Sequence, residues 1–314
     1  MNQITKQKLV FDGGFATQLV ENGHNINNDP LWSARLLSTN QKAITDVHKS
    51  FLEHGADAIL SSTYQASVIG FQKHLKCSVS HAENLINDGA RLVLEARDEF
   101  IRNRKNAEEE RIRPLACASL GPYGAHLSDA SEYTGSYVDE VSVEELVDFH
   151  RQRLAIMCTH PLDLFVFETI PALAEAVAIR RVIREFPNLR YVTSFSCCDE
   201  QHVSHGESLN DATAVFNGCD DVIAVGVNCT SPHFITPLVS SLPEEVRVSK
   251  GLLAMPNSGE VWEGKEWREG SGVADLSCFV DEWVGAGVRW IGGCCRTTPK
   301  DILNIRKRLY GRDQ

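Results

Sequence analysis

Several things are scarce in this sequence, and each scarcity excludes something. No apolar stretch approaches the ~20 residues that a bilayer-spanning helix needs. The polar start, Met1 to Lys8, has no apolar core of the signal-peptide kind. Basic residues are outnumbered, 31 Lys and Arg against 42 Asp and Glu, and the net charge of −11 argues against a nucleic-acid surface. It is compatible with a cationic substrate. Ten cysteines in 314 residues are too sparse for a disulfide scaffold, and none are spaced as the Cys-x-x-Cys knuckle of a structural zinc site. No linker or sharp shift in composition divides the chain. A single domain over residues 1–314 is expected, cytoplasmic, with reduced thiols free to bind metal and with neither membrane nor nucleic acid as partner. The oligomeric state is not legible.

What is present is a rhythm. Short apolar runs recur at Leu9–Asp12, Ala58–Ser62, Leu115–Ser119, Leu164–Glu168, Tyr191–Ser196, Val222–Asn228, Gly251–Met255 and Arg289–Gly292. They are continuous rather than alternating, as in strands buried on both faces. Segments of helical spacing lie between them: Gln41–His54, Ala82–Ile101 with Ser80 as its cap, Val143–Met157, Ala172–Glu185 and Asp275–Ala286. The charged stretch Arg102–Arg113 reads as a solvated helix end and loop. Eight strands alternating with helices predict an α/β fold, the (β/α)₈ barrel. A doubly wound sheet is the alternative, but Asp12-Gly13-Gly14-Phe15-Ala16 lacks the spacing of a dinucleotide-binding loop.

Barrel active sites lie at the C-terminal ends of the strands. Those ends carry Asp12, Thr63, Ser119, Glu168, Ser196, Cys229, Asn257 and the pair Cys294–Cys295. Strands 6 and 8 are separated by one strand, so their ends lie ~10 Å apart. Side-chain reach can bring Cys229, Cys294 and Cys295 onto one metal ion. Three thiolates leave a fourth position open, the mark of a reactive zinc site rather than a structural one. Single buried cysteines are ordinarily small hydrophobes, and Cys77, Cys117, Cys158, Cys219 and Cys278 are read that way. The pair Cys197–Cys198 is a competing ligand set and is read as inert.

At these residues the chain resembles the homocysteine S-methyltransferase family over nearly its whole length. The resemblance rests on Asp12-Gly13-Gly14, Asp29-Pro30-Leu31-Trp32-Ser33-Ala34, Ser62-Thr63-Tyr64-Gln65-Ala66 and Ser119-Leu120-Gly121-Pro122-Tyr123-Gly124. It continues through Phe167-Glu168-Thr169, Gly226-Val227-Asn228-Cys229, Pro256-Asn257-Ser258-Gly259-Glu260 and Gly292-Gly293-Cys294-Cys295-Arg296-Thr297-Thr298-Pro299. It is closest to the short members that use S-methylmethionine or S-adenosylmethionine, less so to the betaine-dependent branch. The resemblance implies a homocysteine-binding barrel with zinc on Cys229, Cys294 and Cys295. It implies a substrate ammonium held at Glu168, with Asp12, Gly13 and Gly14 in the same pocket. Thr63 and Asn228 are assigned to the substrate side. Trp32, Tyr64, Ser119, Tyr123, Asn257 and Trp262 are the candidates for the donor pocket.

The chemistry suits these residue types. A free thiol has a pKa of ~8.5, and zinc coordination ionises it outright. Three thiolates leave zinc electron-rich, so a bound substrate sulfur stays nucleophilic; three histidines would favour water activation instead. Displacement from a sulfonium releases a neutral sulfide, so no acid or base catalyst is assigned. Glu168 closes an apolar strand and needs a partner, either the substrate ammonium or an arginine such as Arg296. Gly13 and Gly14 are placed to offer amide N–H groups to the substrate carboxylate. Thr298 or Thr297 before Pro299 reads as a helix N-cap near the thiolates. His205, after strand 5, is read as a surface residue. The reading is zinc-dependent methyl transfer from a sulfonium to homocysteine, forming methionine. The alternatives are betaine as donor, a cysteine-based redox sensor, or a non-catalytic zinc-binding barrel.

Overall fold

A computed structural model describes residues 3–104, 111–263 and 266–311. Eight parallel strands form its centre: β1 Leu9–Val10, β2 Ala58–Leu60, β3 Leu115–Leu120, β4 Leu164–Ile170, β5 Tyr191–Phe195, β6 Val222–Asn228, β7 Gly251–Met255 and β8 Trp290–Ile291. They pair in the order β1-β8-β7-β6-β5-β4-β3-β2. The remaining seam, β1 to β2, is closed by the parallel bridge Phe11↔Ala58. Two aspartates reinforce it. Leu60 N–H donates to Asp12 Oδ2 at 2.8 Å near the C-terminal end, and Val10 N–H donates to Asp57 Oδ2 at 3.0 Å near the other. The expected (β/α)₈ barrel is therefore what the chain forms.

Why the strands read as continuous apolar runs is plain from their packing. Leu9, Phe11, Cys117, Leu164, Val166, Val192, Leu253 and Trp290 form one buried cluster, the barrel's filling. Their sequence neighbours Val10, Ala116, Phe165, Ile291 and Ala254 belong to a second cluster shared with the helices. Both faces of each strand are buried, so the runs are mostly apolar, with polar residues such as Ser119, Glu168 and Asn228 gathered toward the C-terminal ends. Removing a fully buried aromatic such as Trp290 from this filling costs ~3–5 kcal/mol.

The helices follow their sequence signals with a few shifts. Helix Val143–Met157 matches expectation and is capped by Ser142, which accepts from the Glu145 amide. The long helix Val79–Asn103 starts earlier than expected, because Ser78 rather than Ser80 caps it by accepting from the His81 amide. Residues 105–110 of the charged stretch lie outside the described residues. The segment expected as one helix, Asp275–Ala286, is a 3₁₀ turn Leu276–Phe279 followed by helix Val280–Gly285. The last helix, Pro299–Tyr310, opens on a capping box between Thr298 and Asp301, as its sequence indicated. A two-stranded hairpin, Val261–Glu263 with Glu266–Arg268, follows β7 at the mouth.

Candidate metal centre and substrate cavity

The ends of β6 and β8 bring three sulfurs together. Cys229 follows β6, and its amide bonds to Met255 O of β7 at 3.0 Å. Cys294 is tied to the same strand end, its amide donating to Pro256 O at 2.8 Å. Cys295 accepts there through its carbonyl, from Ser258 N at 3.1 Å. The Sγ atoms of Cys229, Cys294 and Cys295 all lie within 4.8 Å of one another, and Cys229 to Cys295 is 3.5 Å. Sulfurs on a tetrahedral zinc, each ~2.3 Å from the ion, stand ~3.8 Å apart, so the set fits a soft four-coordinate metal with one position left to a ligand. Hydrogen bonds from Cys229 and Cys294 hold the Cys295 thiol well below its usual range. Hydrogen bonding with Cys294 and Cys295, then burial, holds Cys229 well above its own. Three thiols that cannot ionise independently favour a cation among them. Cys197 is buried away from this cluster and its neighbour Cys198 bonds to local carbonyls, so that pair does not compete.

The sulfurs open onto a cavity of about 130 Å³. Among its lining residues are Asp12, Trp32, Tyr64, Ser119, Tyr133 and Glu168. Glu168 is 7 % exposed; its carboxylate accepts from Ser119 Oγ and has no basic partner among the described residues. Burial, with the Cys295 charge adding to it, pushes its pKa up to about 7. Arg296, the partner considered from sequence, pairs instead with Glu260 at 2.6 Å. Asp12 is also buried, and desolvation with the charge of Glu168 raises its pKa well above the carboxylate range.

Four residues around this cavity hold left-handed backbone: Trp32 (φ 45°), Thr169 (φ 60°), Cys229 (φ 50°) and Arg296 (φ 65°). Each such turn costs of order 1–3 kcal/mol and persists only where the surroundings enforce it. Asn228 does part of the enforcing. Its Oδ1 accepts from Thr169 N at 2.7 Å and from Ser194 Oγ at 2.7 Å, while its Nδ2 donates to Thr169 Oγ1 at 2.7 Å.

Several sequence assignments change place. Asn228 serves as this brace, and its Nδ2 also lies 4.0 Å from Cys294 Sγ. Thr63 stands behind the cavity, its hydroxyl donating to Ser119 O at 2.7 Å. The Gly14 amide is taken by Thr297, through O at 3.1 Å and Oγ1 at 3.0 Å, so it does not face a ligand. A side chain there would meet Cys294 O at 2.6 Å, which is why the position is glycine. Gly13 does line the cavity. Tyr123 points away, its hydroxyl donating to Glu145 at 2.8 Å. Asn257 closes its own turn, accepting from Gly259 N at 2.9 Å. The Trp262 side chain lies outside the described residues. His205 sits between Asp139 at 3.4 Å and Glu207 at 3.1 Å, outside the cavity.

Two buried charges brace the loops at this mouth. Arg153 donates to Gly121 O at 2.7 Å, Thr63 O at 3.0 Å and Tyr64 O at 2.9 Å. Glu175, fully buried, accepts from Tyr123 N at 2.6 Å and from the Tyr137 hydroxyl, with His150 Nε2 at 2.7 Å. Sequence reasoning missed Tyr133, whose hydroxyl is 4.0 Å from Cys295 Sγ. The available signal was its place in a long loop after a barrel strand, where such folds carry their sites.

A model of the family "Homocysteine S-methyltransferase" matches residues 9–309. The chain is 42 % identical over 309 residues to homocysteine S-methyltransferase 1 of Zea mays, covering 96 % of this chain and 94 % of that one. It is 38 % identical over 322 residues to betaine-homocysteine S-methyltransferase of Drosophila melanogaster, covering 99 % and 96 %. Among solved structures it is similar to the metallated form of the homocysteine methyltransferase MmuM from Escherichia coli. That match has a TM-score of 0.83 at 32 % identity and covers 97 % of this chain and 98 % of that one.

Proposed function

We propose, from the premise that this chain belongs to the homocysteine S-methyltransferase family, that it moves a methyl group from a sulfonium to homocysteine. The donor is S-methylmethionine or S-adenosylmethionine, and the product on the acceptor is methionine. That the chain is a methyltransferase follows from the family; the metal rests on the cysteine cluster, and the sulfonium donor on the resemblance to the short members of the family. One observation carries the reading. Three convergent cysteine sulfurs open onto a cavity whose buried carboxylates, Asp12 and Glu168, have no basic partner among the described residues.

A zinc ion held by Cys229, Cys294 and Cys295 would supply the charge that keeps an incoming thiol ionised near neutral pH. Glu168 takes the α-ammonium of homocysteine, and that cation draws its carboxyl back to the ionised form. Asp12 lines the same pocket from the neighbouring strand end, where burial keeps its carboxyl toward the proton-bound form. Left-handed turns at Cys229 and Thr169 lie at the ends of the strands that carry the sulfur and Glu168. The new bond forms between the homocysteine sulfur and the methyl carbon as the donor's sulfur–carbon bond breaks. Its electron pair returns to the donor sulfur, which leaves as a neutral thioether, so no residue need protonate it. The thiol proton has already gone to solvent. Trp32 and Tyr64, 6.4 Å apart edge to face, offer rings to the cationic donor.

Betaine is the second reading, favoured by the Drosophila melanogaster relative. It too is cationic, so the acidic cavity does not separate the two. A donor panel does. Zinc-loaded protein with homocysteine should turn over S-methylmethionine or S-adenosylmethionine; turnover with betaine alone overturns the sulfonium reading.

A further inference from the structure

We propose that Tyr133 is a donor-recognition residue. With Trp32 and Tyr64 it forms an aromatic wall beside the cysteines that holds the donor's cationic centre, and the buried carboxylate of Glu132 supplies negative charge behind that wall. The inference deepens the sulfonium reading above and rests on it.

Tyr133 lines the cavity, its hydroxyl lies 4.0 Å from Cys295 Sγ, and it is 41 % exposed. A large aromatic left partly open beside a nucleophile site is available to a ligand. Trp32 and Tyr64 line the same cavity. A methyl-bearing cation within ~6 Å of such ring faces is attracted to them, and a neutral ligand is not. Glu132 gives the wall its sign. Its Oε2 is buried and unpartnered, and none of the described Lys, Arg or His side chains forms an ion pair with it. Burial pushes its pKa up to about 7, and a cation held at the wall would draw the carboxyl to its ionised form.

The segment carrying this pair is held in place. Ser131–Tyr133 is a 3₁₀ turn whose first amide donates to Asp129 Oδ1 at 2.9 Å, and Gly135 N–H donates back to Ser131 O at 2.7 Å. Gly124 lets it approach the barrel, since a side chain there would meet Glu132 N at 2.6 Å. Tyr137, four residues beyond Tyr133, is anchored on Glu175. Glu168 and Asp12 already serve the acceptor's ammonium in the proposed function. The unpaired carboxylate behind the wall is therefore left for the second cation of the reaction, the donor.

The test is steady-state kinetics in both substrates, calorimetric binding of S-methylmethionine and zinc content, on the wild type and on Tyr133→Leu, Tyr133→Phe and Glu132→Gln. Tyr133→Leu should raise the donor KM and Kd about tenfold, and Tyr133→Phe, which keeps the ring, by no more than about threefold. Glu132→Gln should raise both a few-fold. Homocysteine KM and zinc content should stay within twofold of wild type in all three. Unchanged donor binding in Tyr133→Leu, with the wild type active on a sulfonium, overturns this assignment alone. A shift confined to homocysteine KM or zinc content also overturns it, by moving Tyr133 to the acceptor or the metal. A wild type that uses only betaine overturns the sulfonium reading itself, and this assignment with it. Tyr133→Phe and Glu132→Gln barely change volume; if the leucine variant does not fold, an unchanged donor Kd in Glu132→Gln, or an equal loss in Tyr133→Phe and in an alanine variant, decides against the wall.

Discussion

Asp12 and Asp57 close the same seam of the barrel from its two ends, yet their surroundings treat them oppositely. Asp57, at the floor, takes Arg306 Nη1 at 2.8 Å and the Tyr310 hydroxyl at 3.3 Å besides its bond from Val10 N. Asp12, at the mouth, has its bond from Leu60 N and no cation among the described residues, and burial raises its pKa. Asp163 and Glu168 repeat the contrast. The former is paired with Arg97 at 2.8 Å and Arg113 at 3.0 Å; among the described residues the latter has only the Ser119 hydroxyl as a side-chain partner. A buried charge that serves folding alone is neutralised by its neighbours, because leaving it bare is costly. A carboxyl left without a cation at the mouth of a barrel is, on the proposed reading, one that a cationic ligand would complete.

The contrast can be broken at its strongest point first. Cys229→Ala, Cys294→Ala or Cys295→Ala should abolish zinc retention and lower turnover at least a thousandfold, as loss of a metal ligand set does. Metal analysis alongside a methionine-formation assay reads both, and an active, metal-free variant would end the mechanism. Next is the floor. Asp57→Asn should cost about 3 kcal/mol of stability by stranding Arg306, seen as a lower denaturant midpoint, while homocysteine KM in the folded fraction stays put. A KM effect there would erase the distinction between the two ends. Glu168→Gln should do the reverse. Losing one charged hydrogen bond raises homocysteine KM ~10–100-fold, with the denaturant midpoint unchanged or raised.

A smaller effect sharpens the comparison through pH. Glu168 titrates at about 7 in the free enzyme and is proton-bound below that. On the proposed reading it would hold the ammonium only when ionised, so homocysteine KM should rise about fivefold from pH 7 to pH 6 as the carboxylate fraction falls from about one half to one tenth. Glu168→Gln should lack that part of the profile; an identical slope in both proteins removes Glu168 from the site. Least of all, Tyr137→Phe should change turnover only a few-fold by loosening the loop that Glu175 anchors.

Much of this was readable before the structure. β6 and β7 begin and end where the apolar runs do, because both faces of each are buried. The cysteines were legible for the same reason: a residue that ends a buried strand has only the mouth to face. What the sequence hid was side-chain direction beyond the strand ends. Thr63 stands next to site residues but turns backward into a hydrogen bond, and Asn228 spends its amide on Thr169 and Ser194 beside Cys294 Sγ; nothing in a lone sequence records those choices. The Gly14 amide was lost to Thr297, 283 residues away. Tyr133 escaped because a 3₁₀ turn in an irregular loop has no hydrophobic period to betray it.

The left-handed backbone at Trp32, Thr169, Cys229 and Arg296 has a consequence for anyone who would harden this protein against heat. Those four residues are the obvious first targets of thermostability engineering, since glycine or asparagine fits such a conformation better. At Cys229 the exchange would remove a metal ligand outright; at Trp32, Thr169 and Arg296 it would gain heat tolerance by relaxing a turn that shapes the cavity lining. Directed evolution for a higher melting temperature alone should therefore drift toward a sturdier and slower catalyst, and selection on both properties should leave these positions alone.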